Sequence, residues 1–393
     1  MLRQPQKGRR PPRLGKKVWG KFRKEATKKY SGTQHAQKVR KKNNESRRKS
    51  TGIAQTPEGQ IQSWKALLSA GYLENLNSCP RCDSELGQAF VYKENNVVKQ
   101  CKEMTCRYRC NMMQGAHWLG STSRAPLSPQ KLHTALLMYC SDQTSAPPSP
   151  GKVAKVIGTT WKPVARVFKP LHDMEAAAGE DLNEKLVLRN HVEMDATTVR
   201  TCQISPRSRS YASLVRAWQQ RFPRKQLPNY FLLHIRILGA SQRGTNKVKL
   251  APCKWKLTSP CGKPPQESYD EISTSRILAS IQARTSCYID GALGWKKAGK
   301  DWPRKSLKWV VKHSHAEFAR KRRQGRTAGT QQLDRQWHHV KKSVPQQWTT
   351  TSKGKVREKA LWKYLWRGQW RRLNEGHVFA SLGKLCKQNR PER

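Results

Sequence analysis

Carboxylates are the scarce ingredient of this sequence. Across 393 residues, 26 Asp and Glu stand against 78 Lys and Arg, a formal net charge of +52. A chain so one-sided repels itself unless a polyanion offsets the charge, and a basic excess of this size neutralises phosphates with release of their counterions. The expected partner is nucleic acid, with an anionic membrane surface as the lesser option. Long apolar runs are also missing. None spans a bilayer and no signal-peptide pattern stands out, so membrane insertion is not expected. Neither a Gly-rich phosphate loop nor a Cys–His nucleophile constellation is evident.

Composition divides what is there. Residues 1–55 hold two acidic residues, few apolar ones and runs such as "RQPQKGRRPPRLGKK" and "RKKNNESRRK". Such a stretch has too little apolar surface for a core and is expected to be a disordered basic tail. A tail of this kind grips nucleic acid or directs nuclear import. The expected location is the nucleus in a eukaryotic cell, and the cytoplasm or nucleoid otherwise. Next, "IQSWKALLSAGYL" has helical apolar spacing that ends near Gly71.

The eleven cysteines are unevenly placed, with Cys79, Cys82, Cys101, Cys106 and Cys110 in one short stretch. In a chain without a secretory signal this clustering reads as metal binding before disulfides. Cys79 and Cys82, in "CPRC", form a C-x2-C knuckle that aims two thiolates at one ion. A second pair completes a tetrahedral zinc site. Cys101 with Cys106 is one choice; Cys106 with Cys110 is the other. Residues 56–115 are therefore expected to be a helix followed by a zinc ribbon.

Residues 116–185 read as helical. "SPQKLHTALLMYC" is one helix, and "GKVAKVIGTTWKPVARVFKPLHDMEA" looks like helix, turn at Gly158, second helix. Thr159 or Thr160 can cap the second helix and Pro163 suits its first turn. Lys162, Arg166 and Lys169 would face outward, as in a helix-turn-helix that presents its second helix to a major groove. A plain helical hairpin is the alternative.

From residue 190 the pattern changes to strands: "HVEMDATTVR", "NYFLLHIRILGAS" and "KVKLAPCKW". A helix-like "DEISTSRILASIQA" precedes a short strand, "SCYIDGALG". This succession predicts an α/β or α+β domain with a central sheet over 186–375. Asp195 and Asp290 each lie near the end of a strand. In "GTQQLDRQWHHVKKSV", Asp334 borders a helical stripe of Leu333, Trp337 and Val340. Carboxylates converging from separate elements suit Mg²⁺ or Mn²⁺, which take oxygen ligands and complete their shells with water and substrate phosphate. In so basic a chain, bound cations would also cancel the local repulsion between acids and a polyanion.

The order of C-P-x-C ribbon, helical segment, "EMDATTV", "YIDGALGWK" and "GTQQLDRQWHHVKK" resembles the Merlin-type DDE transposases and their bacterial ISXO-type insertion-sequence relatives. The resemblance runs from about residue 60 to 375. It matches Asp195 to the family's first acid, Asp290 to the second and Asp334 to the third, with Trp337 and Lys341 in step and Lys341 expected to contact DNA. It implies an RNase H-like catalytic core, two Mg²⁺ or Mn²⁺ ions, and DNA strand cleavage and transfer at transposon ends, carried out by a possible homo-oligomer. Ala196 stands where the family has a further acid, Asp334 where it usually has Glu, and Gly329, Thr330 and Gln331 where it has H-T-N. The alternative is a catalytically inactive, transposase-derived DNA-binding protein.

Two further stretches carry expectations. His313, His315 and Glu317 in "KHSHAEFARKRR" read as a solvated basic loop. Trp362, Trp366 and Trp370 fall on one helix face, expected to pack on the sheet. Residues 376–393 read as a basic C-terminal tail.

Overall fold

The structure, a computed structural model, describes residues 53–93, 95–119, 127–141, 147–208, 211–224, 226–260, 262, 266–290, 292–301, 307–311, 320–321, 327–328, 330–345 and 357–389. All but the last three residues of the expected basic tail 1–55 lie outside the described residues, as do His313, His315 and Glu317.

The first helix, α1 (Pro57–Ser69), starts four residues ahead of the expected stretch. The Thr56 hydroxyl accepts from the Gly59 N–H and Pro57 fills the first turn. It ends at Gly71, whose φ of 88° suits glycine. The cysteine-rich segment follows as a three-stranded antiparallel sheet of β1 (Leu86–Tyr92), β2 (Asn96–Cys101) and β3 (Arg109–Asn111). Then come α2 (Pro129–Ser141), the short α3 (Pro150–Val156) and the long α4 (Trp161–Lys185).

These elements share one core. Trp64 and Leu67 of α1, Val97 and Cys110 of the small sheet, Leu132 and Leu136 of α2, and Val164 and Phe168 of α4 belong to a single buried cluster. The expected boundary between ribbon and helices near 115 is therefore not a break in packing. The same core takes in Val378, Leu382 and Cys386. They lie on α10 (Val378–Gln388), a helix where a basic tail was expected. The spacing of those three residues is a helical apolar stripe, and burying it against α2 and α4 outweighs the solubility of the flanking lysines. Tyr72 adds a hydrogen bond to the Phe379 carbonyl at 2.8 Å.

The larger sheet is built from β4 (His191–Ile204), β5 (Phe231–Gln242), β6 (Val248–Pro252), β7 (Lys256–Thr258), β8 (Ser286–Asp290) and β9 (Leu307–Val311). The spatial order is β6-β5-β4-β8-β9, with β7 also paired to β5. β5 runs antiparallel to β4 and β6, whereas β8 is parallel to β4 and β9 parallel to β8. Two-residue periodicity sorts the strands onto two faces. Val192, Met194, Leu238, Ala240, Cys287 and Ile289 join Ile272 and Trp295, from α6 (Tyr269–Thr274) and α7 (Leu293–Asp301), on one face. Val199, Ile235 and Ile237 join Leu333, Trp337 and Val340 of α8 (Gln331–Ser343) on the other. The helix α5 (Tyr211–Arg221) sits between β4 and β5 in sequence, its Tyr211 and Trp218 rings 5.7 Å and 5.5 Å from Phe231.

The helix α9 (Glu358–Leu373) ties the two bodies together. Its three tryptophans do not share one role. Trp370 enters the first core, whereas Trp362 and Trp366 stack at 4.7 Å and pack on the α8 side of the sheet. α9 lies so close to α4 that a Cβ on Gly179 would fall 2.1 Å from the Trp366 carbonyl oxygen. Asn183 near the end of α4 closes the sheet edge. Its amide donates to the Leu250 carbonyl at 3.1 Å and its oxygen accepts the Leu250 N–H at 2.8 Å. Among the described residues, no helix is long and apolar enough to cross a membrane.

Candidate functional site

Two groups of candidate residues are positioned by this fold. The first is the cysteine cluster. The knuckle at Cys79 is a tight turn in which Cys79 N–H donates to Ser84 O at 2.8 Å and Asp83 N–H to Cys79 O at 2.8 Å, with Asp83 at a left-handed φ of 56°. The second turn is held by Cys101 N–H to Tyr108 O at 2.8 Å and by Arg107, at φ 42°, donating to Glu103 O. The two turns bring Cys79, Cys82, Cys101 and Cys106 together, with all four sulfurs within 4.8 Å of one another. Cys79–Cys106 is 3.8 Å and Cys82–Cys101 is 3.5 Å. Thiolates around a tetrahedral ion with bonds of about 2.3 Å stand about 3.8 Å apart, whereas a disulfide needs about 2.05 Å. The donor set therefore fits a metal such as zinc.

Cys110, the other choice for the second pair, is excluded. It is buried and donates to Gln114 Oε1 at 3.4 Å. Hydrogen bonds from Ser84, side chain first and backbone second, hold the Cys82 thiol down to about 6, while burial pushes Cys101 up to about 12. Neighbouring thiols do not all ionise together without a cation to share the charge. Lys99, only 7% exposed, secures the platform by donating to Asn75 Oδ1 at 2.8 Å and the Leu76 carbonyl at 3.0 Å.

The second group lies where α8 crosses β4. Glu193 and Asp195, two apart, fall on the same face, but their roles differ. Glu193 is 2% exposed. It accepts from the Leu333 backbone N–H at 2.8 Å and from Arg243 Nε at 2.7 Å. Burial pushes its carboxyl above the usual range, opposed by those hydrogen bonds. Glu193 thus anchors the N-terminus of α8, where a carboxylate also meets the positive end of the helix dipole. Arg243 in turn stacks on Tyr288 of β8 at 3.6 Å. The far end of α8 is tied down by Arg200 of β4, which donates to the Val344 carbonyl.

Asp195 is half-buried between these ties, and its Oδ2 accepts from Trp337 Nε1 at 3.4 Å. The indole reaches it because the residue opposite Asp195 on β5 is Gly239, where a Cβ would fall 2.1 Å from Trp337 Cη2. Asp334 is exposed in the first turn of α8. Lys341 lies half-buried further along the same helix. Burial pulls its ammonium down, and Asp195 and Asp334 pull it back up as its acidic neighbours. The cation expected to reach toward DNA is therefore set between two of the expected catalytic acids.

The side chain of Asp290 lies outside the described residues, but its backbone closes β8. The parallel register pairs Glu193 with Tyr288 and Met194 with Ile289. The next step sets positions 195 and 290 side by side on neighbouring strands, and alternation puts 290 on the α8 face with Tyr288. Among the described residues, only the four cysteines form a group of three or more possible metal ligands. Lys162, Arg166 and Lys169 are exposed on the first turns of α4. Thr160 holds the N-cap position without a side-chain hydrogen bond, and Gly158 makes the turn at φ 63°. One side of α4 is packed on α9, and Lys162, Arg166 and Lys169 lie on its exposed side.

Sequence reasoning missed Gly239 and the anchoring role of Glu193. A glycine inside the apolar run "RILGAS" was the available signal for close approach. No protein-family model, curated protein or solved structure matches the chain.

Proposed function

We propose that this chain is a DNA-binding protein of the DDE-transposase type, with an RNase H-like core that cleaves and transfers DNA strands. The observation that carries this reading is the placement of the acids in the sheet order β6-β5-β4-β8-β9. Asp195 sits on the central strand, position 290 follows in register on its parallel neighbour, and α8, which crosses β4, carries Asp334 in its first turn. This strand order, with one antiparallel arm and one parallel arm, supports the RNase H-like core implied by the resemblance. The zinc assignment of the four cysteines, as a structural ribbon beside the DNA, belongs to the same reading.

The chain's own residues divide the work. Trp337 orients Asp195, while Glu193 and Arg200 fix α8 at its two ends. The exposed Lys162, Arg166 and Lys169 neutralise backbone phosphates. Asp195, Asp290 and Asp334 are hard oxygen donors suited to Mg²⁺ or Mn²⁺, and an ion held there supplies positive charge to the scissile phosphate. Lys341 supports a second reading. An ammonium beside Asp195 and Asp334 balances their charge without a metal, as a DNA-binding descendant that has lost cleavage would need.

The two readings part in one assay. Purified protein is incubated with Mg²⁺ and a duplex carrying the inverted repeats that flank its gene. Specific nicking at the repeat ends, abolished in Asp195→Asn, supports the transposase. Binding without nicking leaves the inactive DNA-binding protein, and no binding overturns both.

A further inference from the structure

A second basic site lies away from the carboxylates, in a groove of about 400 Å³ between α4 and α9. Its polar lining is Lys169, His172 and Asp173 from α4, and Lys363, Tyr364 and Arg367 from α9. The one acid of this lining is already engaged, since Asp173 pairs with Lys363 at 2.7 Å.

Arg367 is the unusual member. It is 5% exposed, yet among the described residues it makes no hydrogen bond and no ion pair. Its guanidinium lies over the Tyr364 ring, 5.1 Å from the centroid. That contact offsets part of the desolvation but leaves five N–H donors unused. The contrast is one turn further along α9. Arg371 is equally buried but bonded to Glu175 at 2.9 Å. A buried guanidinium without a carboxylate is costly unless an anion reaches it.

His172 points the same way. Its Nε2 has no partner, and its ring rests beside Tyr139 and Phe168 at 5.5 Å and 6.2 Å. Burial, with Arg367 and Arg371 adding to it, holds this imidazole down to about 3, so the ring is neutral.

We propose that this groove binds a phosphate group of a nucleotide or nucleic-acid strand, with Arg367 as the buried anchor and Lys169 and Lys363 flanking it. A planar fork of donors matches phosphate oxygens, and the half-buried Tyr364 offers flat apolar surface to the attached sugar or base. The volume suits one nucleotide unit. The inference deepens the DNA-binding half of the reading above and is independent of cleavage.

The test titrates the full chain by calorimetry at near-physiological salt with inorganic phosphate, deoxyadenosine monophosphate and an eight-nucleotide single strand. Arg367→Gln is compared with Lys155→Gln, which removes an exposed charge elsewhere. One saturable site is expected that Arg367→Gln weakens about tenfold or more and Lys155→Gln barely alters. Saturation by the mononucleotide marks a free-nucleotide site; saturation by the oligonucleotide alone marks a strand phosphate. Equal weakening by both substitutions, or no saturable site, overturns the proposal while leaving bulk DNA binding intact. Should Arg367→Gln not fold, Lys363→Gln, which lines the groove but not the DNA surface proposed above, reads the same loss with the mononucleotide. Phosphate binding in a protein that ignores DNA would uphold the groove and sink the transposase reading.

Discussion

The indole of Trp337 reaches Asp195, Nε1 to Oδ2 at 3.4 Å, across a strand whose opposing residue, Gly239, has no side chain. Three separate parts of the sequence meet in that contact. It fixes both the height of α8 above the sheet and the orientation of the carboxylate.

Gly239→Ala should break this arrangement. The new methyl would stand 2.1 Å from Trp337 Cη2, and overpacking of this kind costs about 1–3 kcal/mol. Denaturant unfolding should show the loss. Combining it with Trp337→Leu should cost clearly less than the two single changes added together, because both disturb one contact.

The cysteine cluster makes a sharper distinction. Purified protein should carry about one zinc per chain by elemental analysis. Cys79→Ser, Cys82→Ser, Cys101→Ser and Cys106→Ser should each lose it, and Cys110→Ser should keep it. Because the ribbon shares its core with α1, α2 and α10, metal loss should loosen that whole body, seen as new proteolytic cuts beyond residue 119. Retention of zinc by Cys106→Ser with loss in Cys110→Ser would reverse the ligand assignment.

The bond between α4 and α9 depends on a buried charge. Glu175, fully buried, accepts from Tyr139 at 2.8 Å and pairs with Arg371 at 2.9 Å. Glu175→Gln leaves the guanidinium uncompensated and should cost about 3–5 kcal/mol. Tyr139→Phe removes one hydrogen bond to a charged group and should cost about 1.5 kcal/mol. Equal effects in chemical denaturation would mean that the ion pair is not what holds the helices.

Acid should act on the same region through His172. Burial holds its folded-state value down to about 3, below the ordinary 6.5. Between those values the unfolded chain takes up a proton that the folded chain refuses, so stability falls as pH drops from about 6.5 toward 3. Thermal melts between pH 7.5 and pH 5 should show a smaller acid loss in His172→Gln than in the parent. Identical pH slopes would count against a neutral buried imidazole.

How much of this was legible in the sequence follows the range of the interactions. The bodies of α1 and α8, the strands around Asp195 and Asp290, and the four clustered cysteines are written in local spacing and alternation, and the structure forms them; α1 starts four residues earlier than its apolar spacing indicated. α10 carried a readable stripe in Val378, Leu382 and Cys386, but its lysines made it look like a tail. Glu193 drew attention only as a companion of Asp195; its partner Leu333 is 140 residues away, and no periodicity announces such a bond. The same holds for Arg371 and Glu175, 196 residues apart. Arg367 and Arg371 look alike in "WRGQWRR"; only the fold shows that one has a carboxylate and the other does not.

Binding of Mn²⁺ tests the carboxylate site most directly. The zinc-loaded chain is titrated with Mn²⁺, and the free-ion paramagnetic resonance signal reports how much is bound. Asp195, Asp290 and Asp334 as joint ligands predict a saturable Mn²⁺ site that Asp195→Asn, Asp290→Asn and Asp334→Asn each weaken about tenfold or more. Trp337→Phe, which frees Asp195 without removing it, should weaken the site less. Absence of a saturable site, or Asp195→Asn binding Mn²⁺ as tightly as the parent, would contradict a metal centre beneath α8.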